Sequence, residues 1–232
     1  MMRADHPTPT DRRMTPEPAA RRRSEPLGYL ITKRLFDLSI AVPALVVATP
    51  VILLASAAIW CADPGPVFYR QTREGQGGRK LRMLKLRTMY CDAEARLETL
   101  LKNDPAARAE WESRFKLRHD PRILPFVGRV LRSSSVDELP QLIHVLTGEM
   151  SIVGPRPFPE YHLAAMPPSF RARRRKVPPG ITGLWQVTAR SDCDIAEQQA
   201  LDERYIDTRS LGVDLKIVLR TFRALFRGRG AY

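Results

Sequence analysis

The sequence predicts an α+β, monotopic membrane protein: an N-terminal re-entrant membrane helix feeding a small cytosolic domain of several helices and a short β-hairpin. Three observations carry this expectation. From Leu38 to Ala62 there is no charged residue, and roughly twenty apolar residues suffice to cross a bilayer core. Basic residues flank both ends of that stretch (Arg21-Arg22-Arg23 and Lys33-Arg34 before it, Arg70, Arg73, Arg79 and Lys80 after it). Positive charge favours the cytoplasmic side, so balanced flanks suggest that both ends stay there. Beyond Asp63-Pro64-Gly65-Pro66 the chain becomes compatible with water, and two short alternating stretches meet at a glycine-rich turn.

The chain divides accordingly into residues 1–27, 28–63 and 64–232. The first is a proline- and arginine-rich arm with little apolar content to bury, and it is expected to be disordered. It is no secretory signal, because the apolar stretch starts too late and runs too long. In the second part Pro43 and Pro50 interrupt the apolar run, each removing a backbone hydrogen bond. A helix broken near Thr49-Pro50 that dips in and returns competes with a spanning helix kinked at Pro50. At 232 residues the whole chain can hold one domain with a substantial core plus appendages.

In the third part, Val67–Gln71 and Lys80–Met89 read as strands of a hairpin turned at Gly75-Gln76-Gly77-Gly78. Its polar face carries Lys80, Arg82 or Lys85, and Arg87. The glycines match neither a Walker loop nor a dinucleotide fingerprint. Cys91–Phe115 is an amphipathic surface helix interrupted near Asn103-Asp104-Pro105. Arg171–Lys176 has five basic residues in six. It is either a solvated face or a contact to an anionic membrane surface, at about 1 kcal/mol per residue. Ala196–Ile206 is helical. Asp214–Arg229 sets Leu215, Val218, Leu219, Phe222, Leu225 and Phe226 against Lys216, Arg220, Arg223 and Arg227, the pattern of an interfacial or a docking helix.

The formal net charge of +13 implies an anionic partner: nucleic acid, lipid headgroups or a phosphorylated substrate. No nucleic-acid module is recognisable, which argues against the first. Three widely spaced cysteines suggest reduced thiols in a cytosolic environment, and the four histidines have no zinc-ligand spacing.

The stretch Ser133–Pro157 (SSSVDELPQLIHVLTGEMSIVGPRP) concentrates the chemistry. Asp137-Glu138 is an adjacent carboxylate pair, and Gly154-Pro155-Arg156-Pro157 is a stiff loop presenting one guanidinium. Ser135-x-x-Glu138 matches a helix capping box, but Pro140 would then be the fifth helical residue, where it is disfavoured. With Asp137 as N-cap, Pro140 falls where no intrahelical N–H is needed. A helix start beside Asp137 suits phosphate. Both readings stay open, and the combination points to phosphoryl transfer.

These words and their order resemble the bacterial sugar transferase family, the monotopic polyprenyl-phosphate phosphoglycosyl transferases. The matching segments are Lys33–Asp37, Thr49-Pro50, Pro64–Phe68, Lys85–Met89, Asp137–Gln141, Gly148–Pro157 and Pro179–Gly183, so the likeness runs from Lys33 onward. The chain looks most similar to the short exopolysaccharide type that moves galactose 1-phosphate to undecaprenyl phosphate. The resemblance implies a UDP-sugar donor, a polyprenyl-phosphate acceptor, release of UMP and a covalent aspartyl-phosphosugar intermediate. Asp137 would be the nucleophile, and Glu138 its partner in placing Mg²⁺. Lys85, Arg87, Arg132, Arg156 and Arg190 would form a cationic collar around the diphosphate, with Asp202 as a further polar contributor. Thr49-Pro50 stands where the family turns its membrane helix back with Ser-Pro, and the extra Pro43 leaves the site of the bend open.

The resemblance also implies a place on the cytoplasmic face of the bacterial inner membrane, contact with anionic lipids, no nucleic acid, and the start of exopolysaccharide repeat-unit assembly. Asp192-Cys193-Asp194 is read as a loop rather than a metal site. Transfer of glucose 1-phosphate or an N-acetylhexosamine 1-phosphate is the main alternative. A membrane-tethered basic binding protein without catalysis is a remote one. A homo-oligomer stays open.

Overall fold

An uncharged run this long forms helix readily, and helix α1 extends over Leu27–Ala62, about 54 Å at 1.5 Å per residue. The computed structural model describes residues 26–114, 117–164, 166–188 and 195–226. Nearly all of the N-terminal arm therefore lies outside the described residues. Among these, α1 is the one helix long and apolar enough to cross a membrane.

The helix runs through Thr49 and Pro50, where the sequence predicts a break, and through Pro43 as well. Each proline removes one backbone bond, and the i→i−4 bonds around it keep the helix continuous. The Thr49 hydroxyl also donates to the Leu45 carbonyl at 2.7 Å, within the turn that Pro50 weakens.

One stripe of α1 is covered by the rest of the protein: Lys33, Asp37, Ala41, Ala48, Ala55 and Ile59. The three alanines recur every seven residues and let neighbouring elements approach closely. The outer faces expose Leu35, Val46, Val47, Leu53, Leu54 and Trp60. Both ends are tied to the same folded body. Near the start, Lys33 Nζ lies 2.8 Å from Asp37 Oδ1 and 2.8 Å from Asp214 Oδ2. Arg34 donates to the carbonyls of Val145 and Leu146. At the far end, Asp63 accepts from Arg87 Nη1 at 2.6 Å and from the Cys91 amide at 2.9 Å.

Strands β1 (Phe68–Glu74) and β2 (Lys80–Leu86) form the expected antiparallel hairpin, with Arg70 opposite Leu84. Gly77 and Gly78 take positive φ in its turn, where L side chains fit poorly. Lys80 and Arg82 face solvent, whereas Leu81 and Met83 are buried. Alternation puts Lys85 on the inward side with them. Helices α2 (Ala93–Asn103) and α3 (Pro105–Arg114) replace one interrupted helix, as expected. The Asp104 carboxylate caps the second by accepting from the Ala106 and Ala107 amides.

Helix α4 (Val127–Ser133) leads into a 3₁₀ turn, Val136–Gln141, and α5 (Leu142–Thr147) continues from it. Strand β3 (Ser151–Val153) follows. Two short helices, α6 (Glu160–Ala164) and α7 (Pro168–Arg174), separate it from β4 (Gly180–Thr182). β3 and β4 pair in parallel, with Ser151 opposite Gly180 and Val153 opposite Thr182. This second sheet is not predicted from the sequence, because three residues are too few to show alternation. Helices α8 (Leu184–Thr188), α9 (Ile195–Thr208) and α10 (Leu211–Phe226) complete the chain. The main core joins Ala41 and Ala48 of α1 to Met83, Val145, Ile152 and Ile217.

The run Arg171–Lys176 is largely a solvated face, with Arg175 and Lys176 exposed and Arg174 alone buried, and most of its charges are paired. Arg171 and Arg175 pair with Glu74, Arg173 with Asp207, and Arg174 with Asp202. On α10, Val218 turns inward with Ile217, as a docking helix requires, while Leu215, Leu219 and Phe222 are exposed among the described side chains.

Candidate active site

Ser135 adopts a left-handed conformation (φ 58°) that ends α4 and starts the 3₁₀ turn carrying Asp137 and Glu138. Neither register weighed from the sequence holds. Ser135 is the cap residue, yet its side chain makes no capping bond, and Asp137 lies inside the turn. The Glu138 amide donates to the Ser135 carbonyl at 3.1 Å, an i→i−3 bond. A tight turn tolerates Pro140, which is buried with Gln141 against the hairpin and anchors the dyad from behind.

The two carboxylates have different surroundings. Glu138 Oε1 accepts from Lys85 Nζ at 2.7 Å and from Arg156 Nη2 at 3.3 Å. Lys85 comes from β2, and Arg156 from the loop after β3. Burial pushes the Glu138 carboxyl up, but the charges of Arg156 and Lys85 outweigh it and leave the group below the usual range. Asp137 is engaged by no ion pair among the described residues. Burial dominates there, Glu138 adds repulsion, and the pull of Lys85 and Arg132 only partly offsets them, so the Asp137 carboxyl is raised from 3.8 to about 6. Neighbouring carboxylates driven apart in this way are suited to different roles. At neutral pH both are ionised, and among the described residues direct ion pairs neutralise Glu138 alone.

The loop presenting Arg156 is held by the second sheet. The Gly154 amide donates to the Thr182 carbonyl at 3.0 Å, and the Gly180 amide to the Pro155 carbonyl at 2.9 Å. The backbones approach so closely that a Cβ on Gly154 would lie 2.5 Å from the Pro178 carbonyl oxygen.

The structure therefore brings together Asp137, Glu138, Lys85 and Arg156, with Arg132 exposed on α4 and acting on Asp137 through its charge. Arg87 is placed elsewhere: its guanidinium is engaged by the Asp63 carboxylate and carbonyl at the exit of α1. Asp202 is also away from the dyad. It is buried on α9 and accepts from Arg174 Nη1 at 2.8 Å, and burial raises its carboxyl to about 7 against the lowering charge of Arg174. Arg190 and the Asp192-Cys193-Asp194 segment lie outside the described residues. Thr49 and Pro50 sit within α1.

Three residues near the site have no role assigned from sequence. A cleft beside Glu138 is lined by Arg73, Gln141 and Arg156, and the buried Gln141 Nε2 has no hydrogen-bond partner. Gln141 belongs to a quoted motif, so the signal was present, whereas Arg73 of β1 and Arg174 of α7 carry none.

Among the described residues no cluster of three His, Cys, Asp or Glu side chains forms a metal cage. The donor set here is two adjacent carboxylates, one of them outside any ion pair. That suits Mg²⁺, which commonly takes one or two carboxylates and completes its shell with water and substrate phosphates.

The family model of bacterial sugar transferases matches residues 28–228. The chain is 43% identical over 209 residues to exopolysaccharide production protein ExoY of Sinorhizobium fredii, covering 89% of this chain and 90% of that one. It is 38% identical over 214 residues to undecaprenyl-phosphate galactose phosphotransferase of Salmonella typhimurium, across 86% of this chain and 41% of that one. With the UDP-glucose:undecaprenyl-phosphate glucose-1-phosphate transferase of Caulobacter vibrioides it shares 41% over 210 residues, 87% of this chain and 72% of the relative.

Proposed function

The chain belongs to the bacterial sugar transferase family, and we propose that it transfers a sugar 1-phosphate from a UDP-sugar to undecaprenyl phosphate, beginning exopolysaccharide repeat units. The observation that carries this reading is the pairing of Asp137, a carboxylate outside any ion pair among the described residues, with a neutralised one, Glu138, inside a cationic wall.

Asp137 Oδ attacks the phosphorus that bears the sugar. The bond from that phosphorus to the bridging oxygen breaks, UMP leaves with the electron pair, and an aspartyl-phosphosugar remains. A phosphate oxygen of undecaprenyl phosphate then attacks the same phosphorus, and the bond to Asp137 breaks to return the carboxylate. Splitting the transfer lets one pocket serve two bulky anions in turn. Lys85, Arg132 and Arg156 offset the charge that gathers on the phosphoryl oxygens. Mg²⁺, held by Asp137 and Glu138, would supply further neutralisation of the diphosphate.

Galactose 1-phosphate is the first candidate and glucose 1-phosphate the second, because relatives named for each sugar match at similar identity. UMP release by purified protein with Mg²⁺ and undecaprenyl phosphate, across UDP-galactose, UDP-glucose and UDP-N-acetylhexosamines, tests the reading. One donor should be strongly preferred, and turnover should vanish in Asp137→Asn.

The attachment of both ends of α1 to one folded body supports a monotopic placement on the cytoplasmic face of the inner membrane, with the helix bent at its prolines rather than broken. A straight span would hold the contacts at Lys33 and Asp63 on opposite sides of a core about 30 Å thick. The exposed Leu215, Leu219 and Phe222, beside exposed Lys216, Arg220 and Arg223, give α10 a surface for anionic lipid.

A further inference from the structure

Arg156 stands between two prolines. They fix their own φ angles and contribute no N–H, so hydrogen bonds from elsewhere can hold Pro155 and Pro157 only through their carbonyls. Pro157 restricts Arg156 to the extended region of backbone torsions, a range that still leaves room for the Arg156 carbonyl to tilt. The same residue sends its guanidinium to Glu138, so a tilt of its backbone displaces that group.

Two carbonyls in this loop are anchored. That of Pro155 takes the Gly180 amide at 2.9 Å. That of Arg156 takes Nη2 of Arg174, whose Nη1 is held by Asp202 Oδ2 at 2.8 Å. The Arg174 guanidinium also lies over the Phe158 ring at 4.5 Å and near that of Phe170 at 5.6 Å. Its side chain is only 7% exposed and that of Asp202 1%. Taking an ion pair this far out of water is costly, and apolar residues often replace such pairs without loss of stability. What apolar residues cannot supply is a rigid two-pronged donor that spans from a helix to a loop carbonyl.

We propose that Arg174, oriented by Asp202, is a positioning residue: it fixes the Arg156 carbonyl and so aims the Arg156 guanidinium at Glu138. This assignment rests on the reading of Arg156 as part of the phosphosugar site. It moves Asp202 from the substrate wall to a support behind it. One fork thus links α9 and α7 to the loop, and Arg174 governs the reaction without touching substrate.

The test is a double-mutant cycle with a structural readout beside it. UMP release is measured with UDP-galactose and UDP-glucose, Mg²⁺ and undecaprenyl phosphate, for Arg174→Lys in the native and the Arg156→Ala backgrounds. Lysine can reach Asp202 or the carbonyl but cannot fork between them. The expected result is a kcat lowered about 10- to 100-fold in the native background, with KM for the donor changed less than about threefold. In the Arg156→Ala background the further loss is under about twofold, because the group being aimed is gone. Equal fold losses in both backgrounds would overturn the proposal, since a general structural defect multiplies in either.

Hydrogen–deuterium exchange over Val153–Phe158 gives a readout that needs no turnover. It rises in Arg174→Lys if the carbonyl is released, and unchanged exchange there also overturns the assignment. Should native protein release no UMP with any donor, the phosphosugar reading falls, while the exchange measurement still decides what Arg174 holds. If Arg174→Lys does not fold, Asp202→Asn serves in its place, with the same pattern expected at smaller amplitude.

Discussion

Replacing the proposed nucleophile, Asp137, should make the protein more stable, not less. Asp137→Asn removes a carboxylate that burial raises from 3.8 to about 6. A folded-state value above the unfolded one means that the folded protein binds this proton more readily. The ionised group therefore opposes folding in full above about pH 6, and the penalty fades to nothing below about pH 3. The move from 3.8 to about 6 corresponds to roughly 3 kcal/mol at pH 7.5, and water reaching the partly exposed group reduces it to about 1–3 kcal/mol. Asparagine keeps the size and the polar edge of the side chain without the charge. Denaturant unfolding of nanodisc-held protein at pH 7.5 and pH 4.5 reads the difference directly. Asp137→Asn should gain stability at pH 7.5, only about a third as much at pH 4.5, and none below about pH 3, while losing turnover. A loss of stability at pH 7.5 would refute the reasoning, because it would mean that Asp137 is a satisfied structural anion.

Three further outcomes follow from the same geometry. In metal-free protein the Asp137 carboxyl should titrate at about pH 6, with Glu138 still ionised there, and added Mg²⁺ should lower that value; an Asp137 carboxyl that stays ionised to about pH 4 without metal, followed by NMR, would contradict its placement. Arg87→Met breaks the pair to Asp63 and should lower the unfolding midpoint, with kcat/KM of the folded protein within about threefold of native; full stability with lost turnover would return Arg87 to the substrate wall. Gly154→Ala forces a Cβ against the Pro178 carbonyl and should lose about 1–3 kcal/mol together with most UMP release, because relief of the overlap moves the Arg156 loop.

The parts of the site legible in the sequence are those where local pattern and chemistry coincide. Asp137-Glu138 is visible as an acid pair and Arg156 as a cation between prolines, whereas Lys85 is picked out only by the family resemblance, because alternation alone left it on the polar face of the hairpin. The membrane helix is legible because twenty-five uncharged residues leave few alternatives. Its covered stripe is not, since alanines at 41, 48 and 55 acquire meaning only once their partners are known. Arg174 was hidden inside a run of like charges, where composition suggests a solvated or lipid-facing surface. Only the fold shows that Asp202, far away in sequence, draws Arg174 inward while its neighbours stay at the surface. Pairing of Gly148–Pro157 with Pro179–Gly183 was equally hidden: both words stand out, but nothing local says that they are neighbouring strands.

The most direct test of the account is the state of Asp137 during turnover. Protein is mixed with UDP-sugar and Mg²⁺ without acceptor, quenched in acid within one turnover, digested and weighed. The account predicts a phosphosugar adduct on the peptide containing Asp137, formed with one equivalent of UMP, absent in Asp137→Asn and removed by undecaprenyl phosphate. An enzyme that releases UMP only when the lipid is present, and whose Asp137 peptide stays unmodified throughout, would contradict it and require direct transfer between the two substrates.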